Sequence, residues 1–161
     1  HGDGILQGGG GAAPVDDAKR EQDACANEPF RGILGDPGVE RRIAEAMAKA
    51  RSTPNSGLAS DRPSNGSEFG FWAGRIPFFG VYAGRVFTNH REAQVSFRES
   101  DQPLIAYDLT AIHTHQSPRG AGNLSAADIA ITFPHPKGLG VNVVAVNEDG
   151  ERYCRAKQKY Q

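Results

Sequence analysis

A chain of 161 residues with a formal net charge of −1 and 38% apolar residues is long enough for one domain with a real core. Its near-neutral balance supplies no basic surface for nucleic acid and no cationic stripe for an anionic membrane. No apolar run approaches the roughly 20 residues that a membrane helix needs, so neither nucleic acid nor membrane is expected as a partner.

The chain opens on His1 rather than Met, as a processed product or a fragment would. Residues 1–14 hold Gly8-Gly9-Gly10-Gly11 and little apolar content, and read as a flexible lead. Residues 15–26 read as a charged, exposed helix. Residues 1–26 are therefore set apart as an N-terminal lead, and 27–161 as a single domain. Cys25 and Cys154 lie far apart and in no metal-type spacing. They are either two unpaired thiols or one disulfide tying the N-terminal segment to the last strand, and their polar neighbourhoods favour the disulfide.

Asp36-Pro37 reads as an N-cap followed by proline at the first helical position. Behind it Val39, Ile43, Met47 and Ala50 recur at helical spacing, which predicts a helix with its apolar stripe on a sheet. Residues 52–67, rich in Ser, Pro, Gly and Asn, read as a long loop. Strands are expected at 68–73, 78–82, 85–88, 93–97, 104–115, 141–146 and 152–156, with a turn at Glu148-Asp149-Gly150. A short helix from Ser125 to about Ile131 is stopped by Pro134 and Pro136. The expected fold is α/β: a mixed, largely antiparallel sheet of about six strands flanked by helices.

His113 and His115 end the strand that starts at Leu104. Residues i and i+2 of a strand share a face, so both imidazoles project together where strand gives way to loop. Ser125-Ala126-Ala127-Asp128 then places Asp128 in the first turn of the short helix. Two neutral imidazoles and a carboxylate suit a zinc site that keeps a fourth position open for water, so zinc is the expected cofactor. A zinc hydrolase also needs a carboxylate outside the ligand set to move a proton, and a donor for the developing oxyanion. Glu68 is the expected base, because it opens an aromatic and apolar strand where a carboxylate has no packing reason to be. Glu92 reads as a solvated turn residue, and Asp108 would face away from both histidines in an unbroken strand. Ser125 caps the helix, donates to the oxyanion, or does both. His90 and His135 read as loop residues, and Trp72 with the phenylalanines as core.

The order of these residues resembles a known family. Glu68 at the head of a Glu-x-Gly strand, His113-Thr114-His115, and Ser125-Ala126-Ala127-Asp128 are similar to the signature of the JAMM (MPN-plus) zinc metallopeptidases. That signature is a distant Glu, His-Ser/Thr-His-Pro, a spacer, then Ser-x-x-Asp. Here Gln116-Ser117 separate His115 from Pro118, and nine residues, Gln116 to Leu124, precede Ser125. The resemblance covers residues 68–131, and the terminal hairpin 141–156 is compatible with it. It implies an MPN or cytidine deaminase-like sheet and makes 27–161 a JAMM-like catalytic domain. It also implies His113, His115 and Asp128 as zinc ligands, Glu68 as general acid/base and Ser125 on the oxyanion side.

The expected function is hydrolysis of an amide bond in a peptide or protein by a zinc metallopeptidase or isopeptidase. The chain also looks like the JAMM-type domains of secreted bacterial polymorphic toxins. That comparison implies secretion or delivery from a bacterial cell, and a cognate immunity or delivery protein as partner. The competing readings are a zinc deaminase or other amidohydrolase, a histidine-based nuclease toxin using His113 and His115, and a metal-free binding module. The Cys pair of the deaminases is missing, and a nuclease lacks its basic stripe here.

Overall fold

In a computed structural model of the chain, residues 3–6, 15–52, 68–88, 95–115 and 123–159 are described. Residues 53–67 of the expected loop, His90 and Glu92, both read as turn or loop residues, and residues 116–122 of the spacer lie outside them. In chain order the elements begin with β1 (Asp3–Leu6), α1 (Val15–Ala24), α2 (Phe30–Leu34) and α3 (Pro37–Ser52). β2 (Phe69–Ile76), β3 (Gly80–Ala83), β4 (Phe87–Thr88), β5 (Val95–Arg98) and β6 (Tyr107–Thr114) follow. The last are α4 (Ala126–Ala130), β7 (Asn142–Val146) and β8 (Arg152–Arg155). The main sheet runs β3-β2-β6-β7-β8, with β4 also paired to β2. Among the described residues only β6 and β7 are parallel in it; the other pairs are antiparallel. The α/β class and the mixed, mostly antiparallel sheet are as expected.

The α3 start is the one its sequence announces. Asp36 Oδ2 accepts from the backbone N–H of Gly38 at 2.9 Å and of Val39 at 3.2 Å. These are donors that a helix start otherwise leaves orphaned. Val39, Ile43, Ala46, Met47 and Ala50 are buried on one sheet face with Phe69, Phe71, Ile112 and Val144. The opposite sheet face carries Trp72, Ala111, Val143 and Ala145, packed under Val95 and Phe97 of β5 and Leu124, Ile131 and Leu139 around α4. The molecule is thus layered as helices, sheet, then the β5 and α4 cover. At the β7–β8 turn, Asn147 Oδ1 accepts from the N–H of Asp149 and Glu151 at 3.0 and 2.9 Å, and Gly150 takes a φ of +84°.

Several expectations need correction. Residues 3–6, placed in a flexible lead, pair with β5 in a separate two-stranded sheet. The helix read as exposed over 15–26 buries Glu21 and is bonded to β8 through a Cys25–Cys154 disulfide. The histidine strand starts at Tyr107, not Leu104. Leu104 is fully exposed and Ile105 largely so, because β2 ends at Ile76, just past the Arg75–Tyr107 pair, and Pro77 turns the chain away. Phe78 and Phe79, read as strand and core, sit exposed in that turn. Helix α2 was not expected: five residues with a central Gly32 give no periodic signal, yet Phe30, Ile33 and Leu34 are buried.

Gly70 shows how tightly the second face is packed. A Cβ there would lie 2.6 Å from Phe97 Cζ and 3.1 Å from the Ile112 carbonyl oxygen. The Phe97 ring is held edge-on by Trp72 and Phe87, with centroids 5.1 and 4.9 Å away. Gly70→Ala must displace that buried ring and is expected to cost about 1–3 kcal/mol in denaturant unfolding. An unchanged midpoint would mean that Phe97 has slack the packing does not suggest.

Candidate metal centre

Strand β6 lies between β2 and β7 and is paired on both sides. His113 sits opposite Gly70 on β2 and Ala145 on β7. His115 follows the last residue of the strand, and its N–H still donates to the Val146 carbonyl at 2.8 Å. The two-residue spacing therefore survives to the strand end, and both rings point into the layer under β5 and α4.

The third group comes from α4. Its start is a reciprocal capping box. The Ser125 hydroxyl accepts from the Asp128 N–H at 3.2 Å, and the Ser125 N–H donates to Asp128 Oδ2 at 2.9 Å. This pins the carboxylate over the histidines. His113 Nε2 and His115 Nε2 are 2.9 Å apart, His115 Nε2 is 3.0 Å from Asp128 Oδ2, and His113 Nε2 is 3.1 Å from Asp128 Oδ1. All three residues are buried to within 1%.

Protons cannot satisfy this triangle. A ring nitrogen carries at most one hydrogen and the carboxylate carries none, so at most two of the three short contacts can be hydrogen bonds at once. The third then sets two lone pairs, or two N–H groups, against each other. A cation accepts electron pairs from all three corners. Ligands of one tetrahedral zinc are themselves separated by roughly 3.3–3.4 Å, given bonds near 2.0–2.1 Å, so only a small outward shift of these groups is needed. The charge states agree. Burial pushes the His113 imidazole below its ordinary value of 6.5 against the pull of Asp128, which keeps the ring neutral. Burial alone would raise the Asp128 carboxyl, but His113 and His115 outweigh it and hold the group well below the usual carboxylate range. His113, His115 and Asp128 can together hold a metal ion.

Four of the five expected site residues are thus brought together: His113, His115, Asp128 and Ser125. Ser125 is seen in the first of its two expected roles, as the cap. Glu68 stands just before β2, buried, with its carbonyl accepting from the Thr88 hydroxyl at 2.6 Å. Extending the Gly70–His113 pairing by two residues puts Glu68 at the register position opposite His115, on the same sheet face. Asp108 does not take part: it adopts a φ of +52° and pairs with Arg75 at 3.5 Å. His135 pairs with Glu99 at 3.0 Å in a half-exposed loop.

Sequence reasoning missed Phe97, whose ring stands edge-on to His113 at a centroid distance of 6.4 Å. The signal was present in Gly70, the residue that leaves the ring its space. It also missed Glu21, whose carboxylate accepts from the Leu124 N–H at 3.0 Å, one residue before the Ser125 cap. Among the described residues, no helix is long and apolar enough to cross a membrane. No family profile matches the chain, and neither the curated proteins nor the solved structures contain a significant match.

Proposed function

We propose that the protein is a zinc-dependent amide hydrolase of the JAMM type, a metallopeptidase or isopeptidase. The observation that carries the reading is the buried triangle of His113, His115 and Asp128, which a cation satisfies and protons do not. The order Glu68, His113-Thr114-His115, Ser125-x-x-Asp128 supports the family, and the mixed sheet is compatible with it. His113, His115 and Asp128 would hold the zinc, which supplies Lewis acidity, lowering the pKa of a water and polarising a carbonyl.

The chain's own groups do the rest. Glu68 takes a proton from the attacking water and returns it to the leaving amine. Its burial and its register position opposite His115 support that role. Ser125 holds Asp128 in place through the cap, and its hydroxyl serves the developing oxyanion. The substrate is a peptide or protein. The Cys25–Cys154 disulfide suits an oxidising compartment, which supports secretion; an effector role with a cognate immunity or delivery partner is what the toxin resemblance adds.

Elemental analysis of the purified chain is expected to find about one zinc per molecule, lost in His113→Ala or His115→Ala. Glu68→Gln should keep the zinc but lose amide hydrolysis by about 10²–10⁴-fold. Full activity in Glu68→Gln would remove Glu68 from the mechanism, and a metal-free wild type would remove the centre itself.

Zinc binding also has an expected pH dependence. Ligand imidazoles must be neutral to bind, and His113 stays neutral to lower pH than an exposed histidine because its value is depressed from 6.5. Affinity should therefore hold through neutral pH and weaken as pH falls below 6.5. A zinc titration against a chromophoric chelator, repeated across pH, checks this. Loss of binding that begins above 6.5 would contradict it.

A further inference from the structure

Helix α1 is polar along most of its length, yet one of its carboxylates is inside the protein. Lys19, Arg20 and Asp23 are exposed, whereas Glu21 is 4% exposed. Burying a carboxylate is costly unless specific donors meet it. The donor here comes from 103 residues away: Glu21 Oε1 accepts from the Leu124 N–H at 3.0 Å. Arg155 approaches Glu21 Oε2 at 3.9 Å.

Leu124 is the residue before the Ser125 cap. Two consecutive backbone N–H groups therefore serve two carboxylates, Leu124 on Glu21 and Ser125 on Asp128. The two N–H groups lie in adjacent peptide units joined at the Leu124 Cα, so both bonds hold together only while the backbone angles of Leu124 stay as they are. Leu124 is itself buried, and its N–H bond to Glu21 lies in the interior, where an unmet donor is costly. One helical turn after Glu21, Cys25 is bonded to Cys154, the neighbour of Arg155. The helix is thus fastened to β8 at the same place where Glu21 meets Arg155.

We propose that α1 is a strut that positions the metal ligand Asp128, acting through the Glu21 carboxylate on Leu124 and held in place by the Cys25–Cys154 disulfide. This rests on the reading of His113, His115 and Asp128 as a metal centre. Glu21 touches no reacting atom in this scheme; it is a positioning residue for Leu124 and the Ser125 cap that follows it.

The test is the zinc affinity of the full chain, stripped and titrated against a chromophoric chelator, with circular dichroism to verify folding. Glu21→Ala is expected to weaken zinc binding by about tenfold or more, as loss of a group supporting a ligand does. Glu21→Gln keeps an oxygen that accepts from the Leu124 N–H and should retain most of the affinity. A general loss of stability would not produce that rescue. The double variant Cys25→Ala, Cys154→Ala should fold and bind zinc more weakly with Glu21 still present. A folded Glu21→Ala protein with wild-type affinity, or a Glu21→Gln as weak as Glu21→Ala, overturns the proposal. If Glu21→Ala does not fold, wild-type affinity in the folded double cysteine variant overturns it instead. A wild type that binds no zinc brings down the metal centre and the strut together, whereas a zinc-binding wild type with indifferent variants brings down the strut alone.

Discussion

Two imidazole nitrogens and the two oxygens of one carboxylate are held inside the protein by contacts of 2.9–3.1 Å, and the surrounding architecture keeps them there. An ionised carboxylate and two imidazoles buried together carry a desolvation cost of several kcal/mol per ion unless partners meet them. The chain meets that cost from both directions. Strand β6 is paired on both edges at His113, and the His115 N–H is bonded to Val146 of β7, so neither histidine can retreat without breaking backbone hydrogen bonds. Asp128 cannot rotate away without breaking the capping box with Ser125. Rigidity on both sides turns an unfavourable contact into a prepared site for a cation.

Topology explains why these groups meet. Strands β6 and β7 are parallel, and a parallel connection needs a crossover that returns the chain to the starting end of the sheet. The crossover contains α4, whose first turn lies near the carboxyl end of β6. Ligand sites in α/β sheets gather at such carboxyl ends, because strand ends and helix starts face one another there. His-x-His followed by Ser-x-x-Asp is the one-dimensional trace of that arrangement. Gly70 adds the floor. Without a side chain of its own, it lets Phe97 lie close to the strand, and Phe97 then stands beside His113, with Trp72 and Phe87 behind it.

Much of this was legible in the sequence, and the limits have physical causes. The α3 cap and stripe, the central strands, the last hairpin and the short helix each depend on neighbours within a few residues, so local pattern announces them. The histidine pair was legible for the same reason, since two-residue spacing alone puts both rings on one face. What stayed hidden depends on distant partners. Leu104 and Ile105 look like strand, but β2 has turned away at Pro77 and offers them nothing to pair with. Phe78 and Phe79 look like core for their composition, yet the turn that holds them faces solvent. Asp3–Leu6 finds its partner in Val95–Arg98, across a separation that no periodicity spans.

Helix α1 is the sharpest case. A glutamate in a run of charged residues counts as exposed in any reading of periodicity, because burial of a carboxylate is decided by the donor that meets it. For Glu21 that donor is a backbone N–H on the far side of the sequence. The cysteines were the local hint, since a bond between Cys25 and Cys154 could only bring the first helix to the last strand. Such a crosslink spans a sequence separation of 129 residues. In the chain-entropy picture, closing a loop of that size removes about 5 kcal/mol of freedom from the unfolded chain. The disulfide thus does more than stabilise. It fixes a polar helix that has little apolar surface to hold it, and so keeps Glu21 within reach of the segment that carries Asp128. A helix set apart by composition as a lead is, by its contacts, part of the framework on which the site depends.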